Sequence, residues 1–298
     1  MLARLQQFTT LGLAALALGW LLWRWETSPA WAIAGFVAII CCHAAFLALE
    51  FVALRFIGKG DPAPRPTWAQ LGRAWIGESL TAPLVFCWRQ PFRSNAIPDN
   101  LGPGLQGRRG VVFIHGFVCN RGFWTPWLAE LQERGHAFCA VNLEPVFGSI
   151  DDYAPLIDAA VDKVTKATGI APVLVCHSMG GLAARAWLRS LQADARVFHV
   201  VTIGSPHRGT WLGRFSRVAN GSQMRLQSEW LGMLGQYATE ARHAAFTCWY
   251  SNCDNIVFPA STATLPGADN RHLPGIAHVH LGFHPEVMRH TLAKIGSV

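Results

Sequence analysis

Ala171-Pro172-Val173-Leu174-Val175-Cys176-His177-Ser178-Met179-Gly180-Gly181-Leu182 is the stretch that decides the fold. Residues 171–176 form a short apolar run of strand length, and residues 180–191 follow with helical spacing. Between them stands a serine with glycines two and three positions on. Small residues let the backbone turn sharply there, so the hydroxyl is exposed at the junction of strand and helix. The helix that follows aims its N-terminal N–H groups and its dipole at the same point, which favours a developing negative charge.

The same alternation extends in both directions. Apolar runs of strand length occur at 111–115, 137–141, 197–203 and 246–250. Helical spacing occurs at 124–134, at 151–166 with Asp151 as the expected N-cap, and at 285–295. Strands alternating with helices predict a mostly parallel sheet covered on both faces, an α/β fold. Ligands in such sheets bind outside the carboxyl ends of the strands. The residues that matter therefore lie just after each strand: His115-Gly116-Phe117, then Cys176-His177-Ser178, then the acidic loop after residue 250.

Residues 109–298 resemble the bacterial lipases and esterases of the α/β-hydrolase fold. Three segments carry the likeness. His115-Gly116-Phe117 with Asn142-Leu143-Glu144-Pro145 is similar to their first crossover. Cys176-His177-Ser178-Met179-Gly180 is similar to their G-x-S-x-G turn, with Cys176 where the first glycine stands. Gly204-Ser205-Pro206-His207-Arg208-Gly209-Thr210 is similar to the segment after the next strand. The resemblance implies Ser178 as nucleophile, followed in chain order by an acid and a histidine. Asp254, just past a strand and ahead of Ile256-Val257-Phe258-Pro259, fits the acid; its plainer role is an Asx-turn cap, and Asp269 is the rival. His278, at the end of Gly275-Ile276-Ala277-His278, fits the base, with His280 and His284 as alternatives. The backbone N–H groups of Phe117 and Met179 would form the oxyanion hole, and His115 reads as a structural hydrogen-bonding residue. The implied activity is hydrolysis of carboxylic esters without cofactor or metal, and a membrane-tethered position with an apolar cover points to lipid-like ones. Acyl transfer and thioester hydrolysis use the same triad, and a non-catalytic membrane protein reusing the fold is a further alternative. Residues 210–245, where Trp211, Leu212, Phe215 and Trp230 are interspersed with Arg214, Arg217 and Arg225, stand where a lipase places its lid; a plain helical cap fits them equally.

The N-terminal part lies outside this likeness. Of 298 residues 51% are hydrophobic and only 14% charged, against about 25% charged in a typical soluble domain. The apolar excess is concentrated in two uncharged runs, 5–23 and 30–49, separated by Arg24-Trp25-Glu26-Thr27-Ser28-Pro29. Each is close to the length of a membrane span, and Trp20, Trp23, Trp25 and Trp31 cluster at the break as interfacial tryptophans do. A two-helix membrane anchor over 1–57 is the expected reading. A cleaved signal peptide with Ala30-Trp31-Ala32 as its site, or a single anchor with an interfacial second helix, competes with it. His43 and Glu50 are seven apart and share a helix face, which does not by itself make a transport path. Residues 58–108 read as a connector whose stretch 68–88 forms one amphipathic helix, kinked or ended by Pro83. The catalytic domain then occupies 109–298.

The formal charge of +7 is scattered, without a basic helix interleaved with aromatics, so no nucleic-acid partner is expected. Arg4 before the first run and Arg55, Lys59, Arg65 and Arg73 after the second place both ends of the hairpin in the cytoplasm by the positive-inside rule, at the inner membrane. Eight cysteines with no C-x-x-C pair suit a reducing compartment; Cys248 and Cys253 flank a strand end and are the pair that an exported domain would bridge.

Overall fold

The strand-length runs assemble into one sheet. The computed structural model describes residues 1–237 and 240–296; positions 238 and 239 of the expected lid and the last two residues of the chain lie outside the described residues. Strands β1 (Val111–Ile114), β2 (Phe138–Ala140), β3 (Val173–His177), β4 (His199–Ile203), β5 (Phe246–Tyr250) and β6 (Asp269–His272) pair in the order β2-β1-β3-β4-β5-β6, every pair parallel. The first five fall where the apolar runs predict them. β6 has no apolar signal, being Asp-Asn-Arg-His at the sheet edge with two positions exposed. An edge strand facing water needs no apolar alternation, which hides it from periodicity.

Both faces of the sheet are covered, which is why β1 and β3 are buried at every position. On one face Val112, Ile114, Leu174 and Cys176 pack with Ile157, Val161, Leu182 and Trp187. On the other Val111, Phe113, Val173 and Val175 pack with Phe123, Trp124, Trp127 and Leu128. The chain winds from β1 outward to β2 and then back across to β3, so the strand order reverses between β1 and β3. That is the topological switch point, where a crevice opens at the carboxyl ends.

Four N-terminal helices precede the sheet: α1 (Leu2–Trp25), α2 (Pro29–Ile40), α3 (Cys42–Ile57) and α4 (Trp68–Pro83). Ser28 and Pro29 start α2 as N-cap and first residue. Thr67 and Gln70 start α4 with a capping box. α4 does not stop at Pro83; it runs into a π-helical turn, Leu84–Arg89, and the short α5 (Gln90–Phe92). Among the described residues, α1 is the one unbroken helix long and apolar enough to cross a membrane. The second apolar run is broken at Cys41, where α2 and α3 meet at a 51° bend, and it passes the same test only if the bent pair is one span. α1 and α2 approach through small residues: Ala17 and Ala32 are fully buried, and the Trp20 indole donates to the Trp31 carbonyl at 3.1 Å.

The remaining helices are α6 (Thr125–Glu133), α7 (Ala154–Thr168), α8 (Met179–Leu191), α9 (Ala219–Gln223), α10 (Glu229–Gln236), α11 (Glu240–His243), α12 (His278–Leu281) and α13 (Pro285–Gly296). Asp151 does not cap α7. Ser149 caps a preceding 3₁₀ turn, Ile150–Tyr153, together with Asp152, and Asp151 instead accepts from Arg189 at 2.7 Å and from the Trp230 indole at 2.7 Å. All eight cysteines are free thiols, Cys248 and Cys253 among them.

Candidate active site

β3 delivers Ser178 into a turn with φ 55° and ψ −128°. A non-glycine residue there is strained, and such strain persists only where the surroundings over-determine it. Here they do. The Ser178 N–H donates to the Ile203 carbonyl at 2.9 Å. A Cβ on Gly180 would sit 2.3 Å from the Ile114 carbonyl oxygen, and one on Gly181 would sit 2.3 Å from Ser205 Oγ. The glycines thus let the first turn of α8 press against β1 and β4, and the serine is left at the apex. Cys176, in the place of the signature's first glycine, is a fully buried strand residue with its thiol pushed up by burial. On the other side of the apex, a Cβ on Gly116 would sit 2.7 Å from Ser178 Cβ. Gly116 therefore brings the β1 loop, with Phe117, to the serine. Met179 is the first residue of α8, so its N–H belongs to the unpaired helix start.

Asp254 and His278 meet as an acid–base pair. His278 Nδ1 donates to Asp254 Oδ2 at 2.9 Å, with both side chains buried. The other carboxylate oxygen accepts the backbone N–H groups of Ile256 at 3.0 Å and Val257 at 2.7 Å, which keeps the carboxylate aimed. The Asx-turn expected as the plainer role of Asp254 is therefore present, made by one oxygen while the other faces the histidine. Burial pushes the His278 imidazole down, but the Asp254 carboxylate, with Glu78 and Glu50 behind it, outweighs burial and holds it above its ordinary value. Gly204, at φ 56°, leaves room for the pair: a Cβ there would lie 2.8 Å from Asp254 Oδ2. Ser178 and His278 line one cavity.

The alternatives lie elsewhere. Asp269 is on the edge strand and pairs with Arg271 at 2.7 Å. His284 accepts from the Glu286 N–H. His115 is buried and pushed down to about 4 by burial; its Nδ1 donates to the Gly116 carbonyl and its Nε2 accepts from the Leu143 N–H at 3.0 Å. It fixes the two crossover loops and takes no part in the acid–base pair.

Sequence reading missed the residues that hold His278. The His177 imidazole donates from Nε2 to the His278 carbonyl at 3.1 Å and stacks on Phe123. Asn255 Oδ1 accepts the His278 N–H at 3.2 Å, and Asn255 Nδ2 donates to Glu50 of α3 at 2.6 Å. Glu78 of α4, only 1% exposed, accepts from the Val279 N–H at 2.9 Å and the His280 N–H at 3.0 Å. Glu78 had one visible signal: it falls on the same helical stripe as Leu71 and Ala74, the only acid on the buried face of α4.

The cavity over Ser178 measures about 630 Å³, within the range of small-molecule pockets of about 300–1,000 Å³. Its floor is Gly116, Phe117, Ser178 and His278; its roof comes from α1, the α2–α3 corner, α3 and α4 with its π-helical extension. No described residue of 210–245 lines it. That segment instead packs beside the sheet: the Trp211 N–H donates to the Phe258 carbonyl, and Asn220 donates to the Val146 carbonyl at 2.8 Å. The apolar cover expected there is supplied by the N-terminal helices.

Comparison with known proteins agrees with this architecture. The mature form of Bacillus licheniformis lipase BlEst2 superposes with a TM-score of 0.57 at 15% identity, over 65% of this chain and 94% of that one. Aspergillus fumigatus lipase B superposes with a TM-score of 0.57 at 17% identity, over 68% of this chain and 58% of that one. At such identity the likeness is one of fold. No curated protein matches the chain by sequence. Residues 111–284, more than half of the chain, match the profile described as the Alpha/beta hydrolase family, and with the strained serine turn at the end of β3 the conclusion is that the chain belongs to the α/β-hydrolase family.

Proposed function

We propose that the protein is a serine hydrolase that cleaves carboxylic esters with lipid-like acyl chains, with Ser178 as nucleophile, His278 as base and Asp254 as the acid that orients it. The observation that carries this reading is the buried 2.9 Å hydrogen bond between His278 and Asp254, on a cavity whose floor holds Ser178 in the strained turn. A serine hydroxyl is a weak nucleophile alone. His278 takes its proton as the oxygen attacks the ester carbonyl, and Asp254 stabilises the imidazolium that forms. The Phe117 and Met179 N–H groups receive the oxyanion, each such donor stabilising the transition state by about 3–4 kcal/mol. Collapse releases the alcohol, protonated by His278, and water then frees the acid from the acyl-enzyme. The apolar roof favours a hydrocarbon chain over a polar acyl group. Acyl transfer to another acceptor would use the same residues.

The N-terminal helices are read as the membrane anchor. The start of α1 contacts the connector, through Gln6 on Gln90 and Gln7 on the Pro91 carbonyl, and the later part of α3 contacts the catalytic domain, through Glu50 on Asn255. The Trp23, Trp25 and Trp31 side chains stand exposed about the turn between α1 and α2. A hairpin of this kind returns to the side it left, and the basic residues at both ends put that side in the cytoplasm.

Two outcomes are expected of the full chain in detergent or vesicles, assayed with chromogenic esters. Ser178→Ala lowers kcat by about 10⁶-fold, and a variant with unchanged turnover would exclude Ser178. His278 must be neutral to accept a proton. Because its pKa is held above the ordinary 6.5, kcat/KM falls on the acid side with a midpoint above about 6.5; a midpoint well below that value would remove His278 as the base.

A further inference from the structure

We infer that the cavity above Ser178 is an acyl-chain site whose length-setting wall is made by the N-terminal helices, and that it takes the long acyl chain of a membrane-resident ester from the bilayer. The inference rests on the serine-hydrolase reading and adds to it where the chain lies and where it comes from. Three helices turn one face each to the cavity. Thr10, Leu13 and Ala14 share a face of α1; His43, Leu47 and Glu50 share a face of α3; Glu78, Ala82 and Phe86 follow one another along α4 and its extension.

Apart from Thr10, the polar groups among them are bonded within the protein. A His43 ring N–H donates to the Ile40 or the Ser79 carbonyl, according to its tautomer, Glu50 accepts from Asn255, and Glu78 accepts the Val279 and His280 N–H groups. The wall therefore offers a ligand hydrocarbon contact and few hydrogen bonds, which suits a methylene chain. The rim is apolar as well. Phe46, 64% exposed, and Ile40, 38% exposed, line the cavity, and the exposed Leu49, Val52, Leu80 and Leu84 lie on the same helices. Exposed apolar residues beside a cavity are stable against acyl chains and poorly stable against water.

The test is kcat/KM for p-nitrophenyl hexadecanoate relative to the butanoate, measured on the full chain in phosphatidylcholine vesicles. Ala14→Trp and Leu47→Trp, which fill the cavity, lower the long-to-short ratio at least tenfold. Ala15→Trp, on the exposed side of α1 away from the cavity-facing stripe, leaves the ratio unchanged. Leu13→Ala, a truncation that leaves the helix intact, raises it and serves should the larger side chains prevent folding. A ratio within twofold of wild type in every cavity variant overturns the acyl-site inference alone. A wild-type protein inert on every ester overturns the hydrolase reading and this inference together.

A separate observation carries a second inference: the structure assigns Glu78 as a positioning residue for His278. Its two carboxylate oxygens take the N–H groups of Val279 and His280, the two residues after His278 in the opening turn of α12. A carboxylate on those donors is a charge-assisted cap that sets the direction of the turn bearing the imidazole. Burial pushes the Glu78 carboxyl up to about 7, so above about that pH its charge also supports the protonated imidazole. Glu78→Gln keeps the size and removes the charge; Glu78→Asp keeps the charge and shortens the reach. The first is expected to lower kcat about tenfold, within the 10²-fold range of small misplacements, and to move the acid limb of the pH profile to lower pH. The second lowers kcat with the limb in place. A Glu78→Gln enzyme with wild-type kcat and an unmoved limb overturns the assignment.

Discussion

The turn that carries His278 is held from four directions, and the site depends on it. Asp254 takes the ring, His177 takes the carbonyl, Asn255 takes the N–H, and Glu78 takes the next two N–H groups. A base in acyl transfer must sit within a fraction of an ångström of its proton donor and acceptor, so rigidity there stabilises the transition state more than the ground state. Three of the four partners come from the hydrolase sheet and its loops. Glu78 comes from α4, and Asn255 is itself held by Glu50 of α3. The active-site geometry therefore spans the boundary between the family's fold and the helices ahead of it.

This explains why α3 and α4 are more than a tether and a connector. Phe51, Leu54, Leu71 and Ala74 form a core with Cys253, Phe258 and Ala277, the residues flanking the acid and the base. The Trp75 indole donates to the Ala44 carbonyl at 2.7 Å, and Asp61 accepts the Ser261 N–H at 3.1 Å. Burying that apolar surface locks the helices onto the loops that carry Asp254 and His278. The same helices then present their remaining inward faces to Ser178 as the cavity roof. On the account proposed here, the surface that meets lipid and the surface that meets the acyl chain are opposite sides of the same helices.

The hydrolase sheet was legible because its signals are local. A β-rich run, a serine and two glycines in succession leave few other structures, and five of six strands announced themselves by apolar runs. That Asp254 and His278 would meet was legible because each stands in a loop the fold leaves open at the carboxyl edge. β6 was not, since a polar edge strand makes no pattern. The roof was not, because its assembly depends on long-range packing: Glu78 meets residues 201 and 202 positions later in the chain. The segment 210–245, which reads equally as a lid or as a plain helical cap, shows the converse. Trp230, Leu231 and Leu234 are apolar because they pack into the main core, and composition does not distinguish a core-facing helix from one that covers a site.

The most direct measurement is a structure of the full chain after reaction with a hexadecyl phosphonate ester, a tetrahedral mimic of the acyl intermediate. The account predicts phosphorus bonded to Ser178 Oγ, its free oxygen toward the Phe117 and Met179 N–H groups, and the alkyl chain between α1 and α3 against Leu13 and Leu47. An adduct on Ser178 whose chain runs away from those helices toward residues 210–245, or phosphorus bonded to a different residue, would contradict it.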